Sequence, residues 1–399
     1  MTTPVGTSGQ GVTPKTGQNA PPARPYPFPV GVYETGVQDY DVSTVQAATP
    51  TQLQLWNLSP TGWLRGAWFD FTMTTAGNAA TVVFNADPIQ GGFSGVQKVI
   101  LYDLGGEVVL SLSGYEWLVI NKLGGYFEVG DPRADITFSQ TAGVGAGLGG
   151  SFHFILYLPF EAVARDGLGV VQNESKPGWK VELWMDSSAQ TYTTPPTALG
   201  TLRVRGFLDS YTEPAASAPN GRPFAQTPPL PGTLQYWKSE NQALPAGTAK
   251  YDLTNGIGFP IRNVIYYVRD GANSTRATAD ANFPDPATIL LGNINYATRS
   301  RNLWISKMSR AFAFSSVGAT VPAVDTPQGR ETGVYPLWFT QDFGLKPGNE
   351  LRFRYLDTQV NSLVRITGAN GGALTLFALV NWMATPSKNR YAMISGSGA

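Results

Sequence analysis

The stretch Gly92-Phe93 followed by Val96-Gln97-Lys98-Val99-Ile100-Leu101-Tyr102 is echoed by Gly258-Phe259 followed by Ile261-Arg262-Asn263-Val264-Ile265-Tyr266-Tyr267. Farther along, Lys176-Pro177-Gly178-Trp179-Lys180-Val181-Glu182-Leu183-Trp184-Met185-Asp186 is echoed by Lys346-Pro347-Gly348-Asn349-Glu350-Leu351-Arg352-Phe353-Arg354-Tyr355-Leu356-Asp357. The first match is offset by 165 residues, from Val99 to Val264, and the second by 170, from Lys176 to Lys346. A shared Lys-Pro-Gly carries little on its own. Agreement in order, spacing and strand-like pattern predicts one β-rich unit present twice.

The rest of the chain divides around that repeat. Residues 1–35 hold Pro4, Pro14, Pro21, Pro22, Pro25, Pro27 and Pro29 among Gly, Thr and Gln, which can neither pair as a central strand nor continue a helix. They read as an extended arm. Its aromatic spacing Tyr26, Phe28, Tyr33 leaves open an end docked on a partner surface or a free tail. Residues 36–212 form the first unit, with Gln52–Trp56, Trp68–Met73, Phe152–Leu158, Val181–Met185 and Leu202–Leu208 as strands of period two; in the second of these Phe69, Phe71 and Met73 share one face. Ser113-Gly114-Tyr115-Glu116, ahead of an apolar run that stops at Gly124-Gly125, predicts a short capped helix.

Six prolines between Glu213 and Gly232 mark 213–232 as a semi-rigid linker. Residues 233–385 form the second unit, with strands expected at Val264–Val268, Leu303–Phe314, Pro336–Phe339, Leu351–Tyr355, Leu363–Ile366 and Ala373–Met383, and long loops at Asp270–Pro286 and Ser315–Thr332. Residues 386–399 are a tail. Seven or eight strands per unit predict an all-β fold of two tandem jelly-roll sandwiches with short helices in the loops.

Composition narrows the function. Lys and Arg together number 28, as do Asp and Glu, so no net field favours a polyanion and nucleic-acid binding is disfavoured. The absence of cysteine removes disulfides, thiolate nucleophiles and cysteine-based zinc sites. Met1–Asn19 lacks an apolar core, so no secretory signal is expected, and no apolar run reaches the length of a membrane span.

Candidate chemistry is sparse. His153, the single histidine, alternates with Ile155 and Tyr157 and reads as a strand histidine satisfied by a neighbour. A Ser-His-Asp triad would have to use it, and no Gly-x-Ser-x-Gly elbow stands beside it in the sequence. The carboxylates Glu116 with Asp131, and Glu331 with Asp342, could serve a glycosidase only at a set separation, and each reads as a solvated or capping group. Gly143–Gly150 lacks the Gly-Lys-Ser/Thr of a phosphate cradle and reads as a loop tip. The glycosylation sequons at Asn57, Asn173 and Asn273 carry no weight without a secretion signal. Trp237, Trp304, Trp338 and Trp382 suit either a sugar-binding face or subunit interfaces, with interfaces favoured. No catalytic, cofactor-binding or metal-binding residue and no cofactor is expected.

Two similar sandwiches on a stiff linker, repeated about a threefold axis, would make a tile of near-sixfold outline. The chain here resembles the double jelly-roll major capsid proteins of tailless, internal-membrane bacteriophages of the tectivirus type. The resemblance is carried by Val96–Asp103, Ser113–Asn121, Tyr157-Leu158-Pro159-Phe160 and Gly333-Val334-Tyr335, in that order within residues 50–385. It implies a homotrimeric capsomer in an icosahedral virion shell around an internal membrane, assembled in the host cytoplasm, with neighbouring capsomers and penton or membrane proteins as partners and no direct contact with nucleic acid. It also implies that the arm and the tail after Pro386 lie at the inner face or reach neighbours, and that the loops 270–286 and 315–332 build outer tops and trimer contacts. The Pro/Gly-rich arm departs from the Gln/Ala-rich helical arm of that pattern. The competing reading is a two-domain carbohydrate-binding or glycan-hydrolysing β-sandwich.

Overall fold

The computed structural model describes residues 24–75, 81–85, 91–126, 128–141, 149–164, 167–174, 178–270, 276, 279–314, 324–340, 343, 355–360 and 362–384. The first half runs β1 (Glu34–Val45), β2 (Thr51–Gln52), β3 (Trp56–Asn57), β4 (Trp63–Thr74), β5 (Val83–Phe84), β6 (Val96–Tyr102), β7 (Val108–Leu112), helix α1 (Gly114–Leu123), β8 (Ser139–Gln140), β9 (Phe152–Pro159), β10 (Val171–Gln172), β11 (Lys180–Met185), α2 (Ser188–Thr191), β12 (Tyr192–Thr194) and β13 (Thr201–Tyr211). The second runs β14 (Leu234–Leu244), β15 (Gly247–Asp252), β16 (Pro260–Asp270), α3 (Ala279–Asn282), β17 (Ala287–Leu291), β18 (Ile294–Arg299), α4 (Arg301–Ala311), β19 (Val334–Trp338), β20 (Leu356–Asp357), β21 (Val364–Asn370) and β22 (Leu374–Ala384).

Each half is a jelly roll. In the first, one sheet is ordered β1-β13-β4-β9-β8, and the facing strands are ordered β7-β6-β11-β2, with β3 also on β11. In the second, β14-β22-β16-β19 faces β15-β21-β17-β18. Counting β2 and β3 as one interrupted strand, both halves place their first, eighth, third and sixth long strands in one sheet and their second, seventh, fourth and fifth in the other. The topology is therefore duplicated strand for strand. The halves also fuse: β14 pairs parallel with β7, Trp237 opposite Leu110 and Lys238 opposite Ser111, which joins one sheet of each half into a ten-stranded sheet.

Three expectations need correction. The echoing segments that announced the doubling are not counterparts: β6 is the fourth strand of its half and β16 the third of the other, so β16 corresponds to β4, although the fusion of the halves places β6 and β16 in one ten-stranded sheet. A short strand's pleat pattern reports burial, not which sheet receives it. The second echo lies mostly outside the described residues, as does most of the strand expected at Leu351–Tyr355. Leu303–Phe314 is not a strand but α4: the Ser300 hydroxyl accepts from the Leu303 N–H at 3.3 Å, and the buried pair Trp304 and Met308 stand four residues apart on one helical face. Gln52–Trp56 is split between β2 and β3, with the Leu53 N–H donating to the Leu183 carbonyl at 2.9 Å.

The described end of the arm folds onto its own chain. Tyr26 exchanges backbone bonds with Pro223 and Ala225 of the Pro-rich linker, and the Arg222 guanidinium lies 3.9 Å over its ring. Phe28 is buried edge-on between Trp63 and Tyr211, with centroids 5.5 and 5.8 Å away. Tyr33 alone of the three is 80% exposed. Phe28→Ala should therefore cost about 3 kcal/mol in chemical denaturation; an unchanged midpoint would mean that the arm's end does not help hold β4 to β13.

Candidate functional site: the joint between the two jelly rolls

Helix α1 leaves the first jelly roll and lies against the second. Its start is set by a capping box, in which the Glu116 N–H donates to Ser113 Oγ at 3.3 Å and the Ser113 N–H to Glu116 Oε2 at 2.8 Å. Gly114 opens the helix where a Cβ would fall 2.1 Å from the Phe93 carbonyl oxygen. Every residue of α1 is buried, including Glu116, Asn121 and Lys122, a pattern found only where a helix has protein on all sides.

Its polar groups are accordingly matched in both directions. Toward the first jelly roll, Trp117 Nε1 and Asn121 Nδ2 both donate to the Tyr157 carbonyl, at 2.7 and 2.8 Å, and the Tyr157 N–H donates to Asn121 Oδ1 at 2.8 Å. Toward the second, Tyr267 donates to Glu116 Oε1 at 2.8 Å. Burial, with Glu116 beside it, holds that phenol well above its ordinary range, so it stays a donor. Arg262 donates to the Gly124 and Gly125 carbonyls at 2.7 and 3.1 Å, setting a cation on the carbonyl-rich end of α1. Arg269 lies 4.4 Å over the Tyr115 ring. Next to this, Tyr126 donates to Gln235 Oε1 at 2.7 Å and accepts from Trp237 Nε1.

The deepest part of the joint is ionic. Lys122 Nζ sits 2.8 Å from both Asp131 Oδ2 and Glu331 Oε1 and donates to the Thr326 carbonyl at 2.8 Å. Arg133 bridges the same two carboxylates, while Arg276 holds Asp325 at 2.9 Å and stands 3.7 Å from Glu331 Oε2. The Glu331 side chain is 0% exposed and that of Lys122 2%. Burial pushes the Asp131 carboxyl up, and its hydrogen bonds and charge contacts with Arg133 and Lys122 more than reverse this, leaving it below the usual carboxylate range. Two cations, Lys122 and Arg133, and one acid, Asp131, come from the first jelly roll's helix and following turn, and Arg276, Asp325 and Glu331 come from the second. Separating the halves would strand buried charge on both sides.

The sequence candidates fall as follows. His153 places Nε2 2.9 Å from Asp70 Oδ1 and Nδ1 2.6 Å from the Thr137 carbonyl, and Arg205 pairs with the other Asp70 oxygen; neither ring nitrogen meets a serine hydroxyl. Glu116 is the capping residue anticipated, and Asp131 also caps, accepting from the Arg133 N–H at 2.9 Å, though its carboxylate is buried in the joint and not solvated. Glu331 is likewise buried there, and Asp342 lies outside the described residues. Trp237, Trp304 and Trp382 are buried in the chain's own core, which removes them from a subunit interface or sugar face, while Trp338 is half-buried against Phe312 and Phe343. Asn173 is buried, its amide donating to the Ser59 carbonyl at 2.6 Å, which closes it to modification; Asn57 is exposed, and Asn273 and most of Gly143–Gly150 lie outside the described residues. The described part of the loop Ser315–Thr332 enters the joint through the Thr326 carbonyl, Asp325 and Glu331. Lys122, Arg262 and Arg269 were missed, although charges inside or flanking unbroken apolar runs are the signal that announces them. Among the described residues no cluster of acidic or histidine side chains could hold a metal ion, and no helix is long and apolar enough to cross a membrane.

No protein-family profile matches the chain, and no curated protein matches it in sequence. Solved structures do match in fold. A chain of the Sulfolobus Turreted Icosahedral Virus structure superposes with a TM-score of 0.58 at 10% identity, covering 91% of this chain and 95% of that one. The crystal structure of the STIV major capsid protein gives 0.56 at 11%, covering 90% and 98%, and PBCV-1 VP54 gives 0.55 at 13%, covering 89% and 95%. The shared feature is the double jelly-roll fold, over nearly the full length of each partner.

Proposed function

We propose that this chain is a viral major capsid protein whose work is self-assembly, forming homotrimeric, pseudo-hexameric capsomers in an icosahedral shell around an internal membrane. The observation that carries the proposal is the duplicated eight-strand topology joined by α1 and the buried ionic joint, the fold also found in the STIV major capsid protein. A rigid two-lobed body offers nearly the same outline twice, so three copies about an axis approximate a hexagon. Strand β1 supports association as well: it is twelve residues long and lies at a sheet edge, with Val37 and Val45 exposed along it and Tyr33 exposed just before it, the kind of edge that an isolated molecule must cover. On this reading residues 36–212 and 233–385 are the two lobes, 213–232 their link, and 1–35 and 386–399 the segments that reach neighbouring capsomers or the inner face. Other virion proteins are partners, and no catalysis is involved.

Native mass spectrometry of the purified chain is the test. A stable species of three times 42.8 kDa is expected; a monomer that binds glycans would favour the carbohydrate-recognition alternative and sink the capsid reading.

A further inference from the structure

Strand β22 brings the end of the described chain, Ala384, to the flank of the first lobe, where Met383 is buried in one cluster with Ala162, Val163 and Leu168. Ala162 also lines a narrow cleft with Arg65, Glu128, Glu161 and Asp209. Trp68 and Glu128 belong both to this cleft and to a wider groove of about 270 Å³ lined further by Val129, Ile155 and Asp135. Trp68, Val129 and Ile155 are half-buried, while Glu128 and Asp135 are exposed, so the groove has an apolar floor and an acidic rim. Chain exit, cleft and groove are therefore contiguous.

The cleft is short of positive charge. Arg65 stands 2.9 Å from Glu161, 3.0 Å from Glu34 and 3.6 Å from Asp209. Burial lifts the Asp209 carboxyl, Arg65 draws it down, and the charges of Glu34 and Glu128 lift it further, leaving it above the usual carboxylate range. One guanidinium thus stands among four carboxylates.

The sequence beyond Ala384 carries what the cleft lacks. Residues 385–399, which lie outside the described residues, hold two cations, Lys388 and Arg390, and no acid, followed by Tyr391, Met393 and Ile394. Their order matches the surface: the cations come first and the carboxylates lie beside the exit, and the apolar residues follow as the apolar floor lies beyond. Four extended residues, from Ala384 to Lys388, span about 14 Å. The charge of the two lobes points the same way. Residues 36–212 carry nine Lys and Arg against sixteen Asp and Glu, whereas residues 233–385 carry fourteen against ten, so a basic segment that leaves where the lobes touch is drawn to the first.

We propose that residues 388–394 fold back on their own chain, with Lys388 and Arg390 among Glu34, Glu128 and Asp209, and with Tyr391, Met393 and Ile394 against Trp68, Val129 and Ile155. The stems of the two cations suit the Trp68 ring while their charged ends meet the rim. This seat stands apart from the capsid reading and sets the path by which the tail leaves toward a neighbour or the inner face.

Trypsin reads the seat in the full chain, through release of the C-terminal peptide at Lys388 and Arg390 followed by mass. Glu128→Lys should speed that release roughly tenfold with the melting temperature unchanged, because Glu128 is exposed, and Glu128→Gln should speed it less. Equal rates in wild type and both variants overturn the seat. Carbodiimide, which joins a lysine amine to a carboxylate it touches, should link Lys388 to Glu34, Glu128 or Asp209. In an equal mixture of ordinary and isotopically heavy chains, each linked pair of peptides should carry a single isotope. Pairs of mixed isotope place the tail on a neighbour and overturn the own-chain seat, as do links from Lys388 to second-lobe carboxylates alone or no link at all. Wild type that stays monomeric removes the capsid reading and leaves these outcomes as they are.

Discussion

Glu331→Ala is expected to destabilise the folded chain by about 3–5 kcal/mol, the range found when one partner of a buried ion pair is removed and the other charge is left behind. The size of the effect follows from three cations converging on one carboxylate: Lys122 at 2.8 Å, Arg133 in direct contact and Arg276 at 3.7 Å. Asp131 remains to pair with Lys122 and Arg133, but it cannot offset both in a site closed to water. Urea titration followed by tryptophan fluorescence measures the loss, and a cost under about 1 kcal/mol, the range of exposed pairs, would show that solvent reaches the joint. The same geometry sets a pH dependence. The Asp131 carboxyl is lowered in the folded chain, so the stability it contributes is fully present above the ordinary carboxylate range and is lost as pH falls through the lower folded value. Acid should therefore loosen the joint, and Asp131→Asn should flatten the acid side of the melting-temperature profile; an unaltered profile would assign the acid sensitivity to other carboxylates.

Trp117→Ala should cost about 3–5 kcal/mol for the cavity it leaves. Trp117 is fully buried, edge-on to Phe69 at 5.0 Å and to Phe71 at 6.0 Å. Its ring fills the space between α1 and β4, and its N–H shares the Tyr157 carbonyl with Asn121. Because Asn121 still satisfies that carbonyl, Trp117→Phe should recover most of the loss. Equal destabilisation by the two substitutions would place the energy in the indole hydrogen bond instead of the packing.

Local chemistry was legible wherever neighbouring residues in the chain set the outcome. The capping box at Ser113 and Glu116 announced α1 to within a residue, and the alternation of Phe69, Phe71 and Met73 announced the buried face of β4. Leu303–Phe314 misled because aromatic and apolar residues at mixed spacings suit either period, and Trp304 and Met308 reveal a helix only once one knows that they alone are buried. The tryptophans misled for a related reason: a large amphipathic ring is suited equally to a core and to an interface, and Trp237 and Trp304 found their N–H partners, Tyr126 and the Pro336 carbonyl, inside the chain.

The echo that suggested doubling joined strands that are not counterparts; strand content could be read before any coordinates, because it rests on side-chain character repeated along the chain. Which β-strand answers to which, the fusion of the halves through β7 and β14, and the convergence of Lys122, Asp131, Arg133, Arg276, Asp325 and Glu331 could not. Those depend on contacts between residues up to two hundred positions apart, and a buried charge declares its partner only when folding has removed the water that would otherwise have solvated both.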